Sequence, residues 1–471
     1  MRIELSRQVL RSELREQVKD LSEQNLLACY QCGKCSAGCP SIEAMDVMPS
    51  QIVRWVQLGQ IEKALQTKTI WLCAACQTCT TRCPQGIDIA AIMDELRIEA
   101  KRRGIKPVLP DVDKFVRLFM TDLSVMGRMY EVGLMGGLNV VTGNLFKDMD
   151  MAIRMLRRNK LHILPSLPVR PPKPGTVKPV EPAPNKIAYF PGCSLESSAA
   201  EYAKTTEAIA KVLDVELVEP HGWVCCGSSA VHSSDHMLAV KYPVVTLSII
   251  EQMGLEEVTA PCSACYLRFK SAAHEMAHDP EMARRVNAEI GYEYRNSVRV
   301  MSLLEVLVEK VGLDKIESKV KKPLEGLKVA CYYGCYLTRP AEVTGAEHPE
   351  YPMEMDHLMQ RLGAEVVDWD YKTDCCGGSL GLTQTPIAHE MTARILRNAR
   401  ERGADAVVTV CPLCHINIDG RQEQIKDLGF KIPVFYATQL ATIALGLGEK
   451  AAMLNKNLVD PRPLMREKGL I

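Results

Sequence analysis

The sequence predicts a multidomain α+β chain, with an N-terminal α-helical domain followed by two duplicated α/β half-domains. Three observations predict this. Two cysteine runs within the first 90 residues flank apolar residues at helical spacing, a proline-rich stretch then interrupts the chain, and most of the remaining sequence is repeated once. With 471 residues, the chain has room for about three domains.

The composition of the chain argues against a nucleic-acid-binding or secreted protein and favours a metal-binding one. Lys plus Arg and Asp plus Glu both number 57, so no overall basic field attracts nucleic acid, and any partner must be met by a local surface. The N-terminus, MRIELSRQVLRSELREQ, lacks the apolar core of a signal peptide, and we expect a cytoplasmic chain. Nineteen cysteines are too many for a reducing compartment unless most of them bind metal.

The N-terminal cysteines form two runs of one pattern, CYQCGKCSAGCP at 29–40 and CAACQTCTTRCP at 73–84. This CxxCxxCxxxCP run is typical of bacterial two-cluster ferredoxins, in which the fourth cysteine of each run reaches the other cluster. CxxC pairs can also bind zinc, but two complete runs favour two [4Fe-4S] cubanes. The expected ligand sets are Cys29, Cys32, Cys35 and Cys83 for one cubane, and Cys73, Cys76, Cys79 and Cys39 for the other.

Helices are predicted around these runs. Ile52, Val53, Val56, Ile61 and Leu65 follow a cap expected at Ser50, and IDIAAIMDELRIEAKRRG follows the second run. A methionine-rich stretch at 105–162 is interpreted as helical core rather than a partner surface. Eight prolines between positions 165 and 184 then predict a stiff connector. The expected domains are 1–162, a linker at 163–185, and half-domains at 186–322 and 323–471.

The half-domains carry matching cysteine motifs. KIAYFPGCS corresponds to LKVACYYGC, VCCGSS to DCCGGS, and PCSACY to CPLCHI, at separations of 142, 150 and 149 residues. Short β-branched stretches alternate with helical segments in both, which predicts mainly parallel sheets whose carboxyl ends gather the thiols. Each half supplies five: Cys193, Cys225, Cys226, Cys262 and Cys265, then Cys335, Cys375, Cys376, Cys411 and Cys414.

Five thiols exceed the four that a cubane needs. Either one thiol is spare in both halves, or the cluster is not a cubane, and the repetition of all five favours the second alternative.

These motifs resemble the heterodisulfide reductase family. Residues 1 to about 160 are similar to its C subunit, and residues 186 to about 445 are similar to its B subunit through motifs such as YFPGCS, VCCGSS and DWDYKTDCCGGSL. The chain looks like a fused C and B pair. The resemblance implies that each half holds a noncubane [4Fe-4S] cluster through its five cysteines, and that a disulfide is cleaved between the two. Gly227 and Gly377 would let the chain turn beside each doubled cysteine.

The resemblance also implies a reaction and partners. Reducing a disulfide takes two electrons and two protons, so two clusters that each deliver one electron would explain the duplication. No GxGxxG follows a strand, and the donor is expected to be a flavin-containing A-subunit-like protein or a membrane cytochrome b. We expect a hetero-oligomer in the cytoplasm, which a partner could place at the membrane. The alternative is an electron-transfer subunit of glycerol-phosphate, glycolate or lactate oxidation, or of a sulfite-reduction membrane complex.

Four further side chains beside the ligand loops are weighed. Cys331 is interpreted as a buried hydrophobe rather than a ligand. His415 could protonate a departing thiolate, although a structural role is favoured. Arg339 and Lys372 could orient an anionic substrate, although solvated side chains are the more common case.

Overall fold

The structure is a computed structural model that describes residues 26–471. The N-terminal charge pattern that argues against a signal peptide lies outside the described residues. Within residues 26–471, none of the helices is both long enough and apolar enough to cross a membrane.

Helices make up the described chain before the first strand. They are Lys34–Ala37 (α1), Pro49–Gln57 (α2), Ile61–Leu65 (α3), Thr69–Leu72 (α4), Thr78–Thr81 (α5), Ile89–Arg102 (α6), Pro110–Met126 (α7), Glu131–Thr142 (α8) and Met149–Arg157 (α9), with 3-10 turns at Leu26–Ala28 and Ile42–Ala44.

The predicted apolar stripe forms the first core. Its five residues are buried on α2 and α3, where they pack against α6. The expected cap at Ser50 is wrong. The helix begins one residue earlier, at Pro49, a residue type favoured in the first helical position because it needs no N–H partner. The Ser50 hydroxyl instead lies 2.9 Å from that of Ser36, beside the first cysteine run.

The first half-domain contains one sheet. Its elements are Lys186–Tyr189 (β1), Gly192–Leu195 (α10), Ala200–Val212 (α11), Glu216–Val218 (β2), His236–Gln252 (α12), Glu257–Ala260 (β3), Ser263–His278 (α13), Pro280–Ile290 (α14), Arg299–Ser302 (β4), Leu303–Glu305 (α15) and Leu313–Ser318 (α16), with a 3-10 turn at Val231–Ser233 and a π-helix at Val306–Gly312.

The second half-domain repeats the plan. Its elements are Lys328–Tyr332 (β5), Ala341–Thr344 (α17), Glu354–Arg361 (α18), Glu365–Val366 (β6), Thr385–Glu401 (α19), Ala406–Thr409 (β7), Pro412–Gly420 (α20), Val434–Tyr436 (β8), Ala437–Ala444 (α21), Gly448–Ala452 (α22) and Arg462–Glu467 (α23), with 3-10 turns at Gly378–Leu380 and Leu454–Lys456.

The two sheets have the same topology. Their orders are β2-β1-β3-β4 and β6-β5-β7-β8, and every strand pair in them is parallel. The predicted α+β class and duplication are therefore confirmed, although β4 and β8, which complete each sheet, were not expected from the sequence. Because all strands run the same way, their carboxyl ends share one edge of each sheet.

Helices α7 and α8 pack mainly on the half-domains, although Val112 of α7 belongs to the first core. Phe115, Phe119, Leu123, Leu134 and Leu138 belong to the same apolar cluster as the residues of the first sheet. The proline-rich stretch lies along the surface of the first half-domain. There the Val180 N–H donates to the Met253 carbonyl, 2.8 Å away. The N-terminal part of the chain is thus attached along the half-domains over much of its length.

A buried ion pair fixes part of this attachment. Lys160, just after α9, bonds to Glu201 on α11, and both side chains are only 1% exposed. The other carboxylate oxygen of Glu201 has no hydrogen-bond partner in the described structure. Burying both charges costs desolvation free energy, so the fold is stable only while each charge compensates the other.

We expect Lys160→Met to lower the free energy of unfolding by about 3–5 kcal/mol, because it leaves the Glu201 carboxylate buried without its cation. Lys160→Met/Glu201→Leu, which removes both charges, should regain most of this loss. Anaerobic denaturant unfolding followed by circular dichroism measures both variants. A double variant as unstable as the single one would show that lost packing, not the unpaired charge, is the cause.

Candidate metal centres and the cavity between them

The cysteines of the first run lie at the surface of the helical domain. Cys29 and Cys32 precede α1 and Cys35 lies within it. Cys29, Cys32 and the distant Cys83 all lie close to Tyr30, and Cys35 is near Cys29. Cys32 is exposed and the other three are partly buried. The structure thus brings together the four thiols expected for one cubane.

The second set of four thiols is more deeply placed. A small cavity is lined by Cys39, Cys73, Cys76 and Cys79, together with apolar residues of α6. Burial raises the pKa of the Cys73 thiol to about 12, and it raises that of Cys79 well above its usual value. The fourth cysteine of the first run therefore lies with three cysteines of the second, as the ferredoxin pattern predicts.

The ten thiols of the half-domains lie beyond the carboxyl ends of the strands, in matching pairs. The sulfur atoms of Cys226 and Cys265 are 3.1 Å apart, and those of their counterparts Cys376 and Cys414 are 3.6 Å apart. Contact with Cys193 raises the pKa of Cys225, as contact with Cys335 raises that of Cys375. All ten cysteines are buried. The duplication thus extends to the arrangement of individual thiols.

Two kinds of glycine shape these loops. Gly227 and Gly377, after the doubled cysteines, have φ of 82° and 75°, as the predicted turns require. Sequence reasoning missed Gly192 and Gly334, which precede Cys193 and Cys335. Both have φ of 72°, and an added Cβ would lie 3.2 Å from the Cys265 sulfur or 3.1 Å from the Cys414 sulfur. Their signal was present in the sequence, since each half carries a glycine directly before its first cysteine.

The thiol sets of the two halves meet. The nearby Cys262 thiol of the first half lowers the pKa of the Cys411 thiol of the second, so these two thiols lie close together. The Tyr202 hydroxyl lies between their loops, 3.3 Å from the Pro261 carbonyl oxygen and 3.0 Å from that of Val410. The Tyr202 ring stacks on Tyr436 of the other half, with centroids 4.2 Å apart. The half-domains therefore face each other through their cysteine loops.

The helical domain meets the second half-domain at its own second run. Contact with Cys375 raises the pKa of the buried Cys76 thiol. Around this contact, the Tyr336 and Ser379 hydroxyls both donate to the Ala74 carbonyl at 3.3 Å, and Arg339 donates to the Thr78 hydroxyl at 2.7 Å. A series of neighbouring thiols thus runs from the second N-terminal set into both half-domains.

A cavity of about 140 Å³ lies between the half-domains and the methionine-rich helices. Ser228 and Ser229 after the first doubled cysteine, and Gly378 and Ser379 after the second, border it from both halves. The opposite wall is mostly apolar. It is formed by Phe115, Phe119, Met129, Leu134, Met135, Met151, Met155 and Leu161.

Two ionisable side chains line this cavity. Arg421 is bonded to Asp148, with Nη1 and Oδ1 2.9 Å apart. The Glu131 carboxylate accepts from the Ser198 hydroxyl at 2.8 Å and from the Ser198 N–H at 3.2 Å. Burial raises the pKa of Glu131. Glu131 was not found from the sequence, where it is one of many acidic residues with no motif around it.

The four further side chains are buried, so the expectation that Arg339 and Lys372 are solvated is wrong. His415 stacks on Tyr436 and its Nε2 is 3.1 Å from the Val434 carbonyl oxygen. Arg339 is buried against Thr78 and Thr373, and Lys372 is paired with Asp356 at 2.5 Å. Cys331 is fully buried in β5. These contacts occupy His415, Arg339 and Lys372 inside the fold rather than directing them at a substrate.

The donor chemistry of these sites fits iron–sulfur clusters. All five cysteines of the second half line one small cavity. Cys39, Cys73, Cys76 and Cys79 line another in the same way. Within residues 26–471, no group of three or more Cys, His, Asp or Glu side chains is positioned to hold a single metal ion. Thiols with raised pKa values are protonated until metal binds, so loading each site releases protons.

Comparison with known protein families agrees with this layout. Residues 25–87 match the 4Fe-4S dicluster domain. Residues 187–270 and 329–419 both match the cysteine-rich domain of the CCG type. The matched regions contain both N-terminal runs and both sets of five cysteines.

Individual relatives cover different parts of the chain. The 8-methylmenaquinol:fumarate reductase membrane anchor subunit of Wolinella succinogenes is 36% identical over 59% of this chain and 99% of its own length. The B subunit of the ferredoxin/F420H2-dependent CoB-CoM heterodisulfide reductase of Methanosarcina acetivorans is 31% identical over 58% of this chain and 94% of its own. The iron-sulfur C subunit of the CoB-CoM heterodisulfide reductase of Methanopyrus kandleri is 34% identical over 20% of this chain and 50% of its own.

The B-type match and the C-type match account for the cysteine-rich halves and the dicluster domain respectively. The chain therefore belongs to the heterodisulfide reductase family, as an iron–sulfur subunit in which a C-type ferredoxin domain is fused to the paired cysteine-rich domains of the B type.

Proposed function

We propose that this chain is the catalytic iron–sulfur subunit of a heterodisulfide reductase-type complex and reduces a disulfide to two thiols. One observation carries the proposal. Thiols from both halves meet at Cys262 and Cys411, and the loops after both doubled cysteines border one shared cavity. A substrate sulfur pair in that cavity would be reached from both sides.

We assign the ligands as the sequence predicts. Two cubanes would be held by Cys29, Cys32, Cys35 and Cys83, and by Cys73, Cys76, Cys79 and Cys39. Two noncubane [4Fe-4S] clusters would be held by Cys193, Cys225, Cys226, Cys262 and Cys265, and by Cys335, Cys375, Cys376, Cys411 and Cys414. Five buried thiols around one cavity in the second half support a cluster that uses more than four ligands.

When bound, the clusters supply single electrons, and two of these reduce the sulfur–sulfur bond. The balance is one disulfide, two electrons and two protons giving two thiols. The chain's own part is to hold the substrate in an apolar cavity that excludes water, and to deliver the protons. The contact between Cys76 and Cys375 supports electron entry from the N-terminal domain through the second half.

Glu131 is our choice for the proton donor. It lines the cavity, and burial raises its pKa, so that it carries a proton at higher pH than an exposed carboxyl does. Ser198, which holds its carboxylate by two hydrogen bonds, fixes its direction. Proton loss from Glu131 as pH rises would remove the donor.

Electrons would reach the chain from a partner subunit in the cytoplasm, and we propose a flavin-containing A-subunit-like protein or a membrane cytochrome b. A second candidate function is electron transfer without disulfide chemistry. It is favoured by relatives whose names refer to other reactions, namely the Wolinella fumarate reductase subunit and a probable glycolate oxidase iron-sulfur subunit. The two complete thiol sets that face one cavity favour the first candidate.

The first prediction from this proposed function concerns iron content. Four clusters predict about 16 irons per chain after anaerobic purification. Cys376→Ala should lower the content by about four irons, and Cys331→Ala, an equally buried cysteine outside the thiol sets, should leave it unchanged. Iron and sulfide analysis of the three proteins measures this. Equal losses in both variants would contradict the ligand assignment.

The second prediction concerns cooperation between the halves. Cys226→Ala and Cys376→Ala should each abolish reduction of an added disulfide by the chemically reduced protein, because each half supplies one of the two electrons. The measurement is thiol release together with paramagnetic resonance of the clusters. Full disulfide reduction by either variant would refute the two-sided reaction, and a wild type that only passes electrons to a dye would favour the second candidate function.

The third prediction concerns Glu131. We expect Glu131→Gln to lower the disulfide reduction rate roughly 100-fold and to remove the fall in rate at alkaline pH. Glu131→Asp should keep that pH dependence at a reduced rate. The measurement is the rate of thiol release between pH 5 and 9 at saturating donor. An unchanged pH profile in Glu131→Gln would exclude this proton donor.

A further inference from the structure

The segment that walls the cavity also carries most of the exposed apolar surface. Of 17 large hydrophobic side chains exposed in residues 26–471, ten lie between positions 140 and 167. Phe146, Leu164 and Leu167 are 80%, 82% and 87% exposed. Single exposed apolar residues are common on proteins, but a concentration of this kind marks an interaction surface.

Helix α9 divides this segment between two environments. Met151 and Met155 are buried and face the cavity. Met149, Ile153 and Leu156, spaced by four and three residues, form an exposed apolar stripe on the opposite side. The helix is therefore apolar on two faces, and internal packing accounts for only one of them.

The two ends of the segment are held close to the fold. The Tyr130 hydroxyl, at the start of α8, donates to the Ile163 carbonyl and so brings the stretch 163–167 back beside that helix. Lys147 donates to the Leu382 carbonyl at 2.6 Å and anchors the loop that exposes Phe146. We call residues 140–167 the outer apolar surface.

Basic residues lie within this segment and directly after it in the sequence. Positions 140–180 contain eight Lys or Arg residues and two Asp. Both aspartates have partners, since Asp148 bonds to Arg421 and Asp150 lies 3.6 Å from Arg154. Arg157, Arg170, Lys173 and Lys178 are exposed. Lys160 is paired with Glu201 inside the fold, and Arg154 lies 3.0 Å from Glu423. The four exposed cations, which we call the basic rim, therefore supply the local positive charge on a chain whose net charge is zero.

We propose that the outer apolar surface binds directly to the interface of an anionic lipid bilayer, with its apolar side chains among the acyl chains and its basic rim on the headgroups. Exposed apolar side chains with cations beside them are the arrangement that lies in a membrane interface. This contact requires no membrane-spanning helix. It does not rest on the disulfide reductase proposal, because none of the cysteines takes part in the contact.

Vesicle flotation tests the inference with the full-length, cluster-loaded protein. We expect it to float with vesicles of phosphatidylcholine containing phosphatidylglycerol, and to bind at least roughly tenfold more weakly to phosphatidylcholine alone or at high salt. Phe146→Ser/Leu164→Ser/Leu167→Ser should lower the bound fraction roughly tenfold. The matched control Leu27→Ser/Val108→Ser/Leu447→Ser, which alters three exposed apolar residues elsewhere, should float like the wild type.

A second variant tests the charge. Arg157→Glu/Arg170→Glu/Lys173→Glu should lose the preference for anionic vesicles. Iron content and circular dichroism, unchanged in all variants, show that each remains folded and loaded.

Two outcomes would overturn the inference: a wild type that stays unbound at low salt, or equal flotation of the apolar variant and the control. A molar mass that falls from dimer to monomer only in the apolar variant, without vesicle binding, would instead identify the surface as a contact between two copies.

Discussion

The architecture depends on the meeting of two parallel sheets at their carboxyl ends. Each sheet delivers its cysteines on the loops that follow its strands, and the contact between Cys262 and Cys411 joins the two sets. Tyr202 fixes this contact from between the loops, since it lies within hydrogen-bonding distance of a carbonyl oxygen in each. If the halves were turned away from each other, the same ten thiols would form two separate sites without a shared cavity.

The position of the N-terminal domain suggests a path for electrons into the paired thiol sets. Its second cysteine run is placed against the second half through Cys76 and Cys375, whereas the first run lies near the surface. Surface thiols are accessible to an external donor, whereas the buried Cys76 lies against the second half-domain. Electrons would therefore move inward from an exposed cluster to a shielded one, and both burial and hydrogen bonding to sulfur alter cluster potentials along such a path.

The sequence was most informative where function depends on local spacing. The CxxCxxCxxxCP runs and the paired CCG motifs predicted which thiols come together, and the alternation of β-branched and helical stretches predicted the parallel sheets. Gly192 and Gly334 were missed because a single glycine before a cysteine is common, and only the close approach of Cys265 or Cys414 shows why it is needed.

Long-range packing could not be predicted from the same information. Methionines suit a core, a cavity wall and an exposed surface equally well, and the 140–167 stretch contains all three. The pattern of α9 therefore indicated a helix without showing what either face would contact. Glu131 was missed for a related reason, since its burial depends on α8 packing against the loop around Ser198, 67 residues further along the chain.

The stacked rings of Tyr202 and Tyr436 have a consequence for how this protein can evolve and be engineered. Each ring belongs to a different half, and each covers apolar surface that the other would otherwise leave in water. A gene that encoded one half alone would produce a chain with an exposed aromatic surface and only one of the two thiol sets. The two halves therefore have to be encoded together, and neither can be removed without exposing the other.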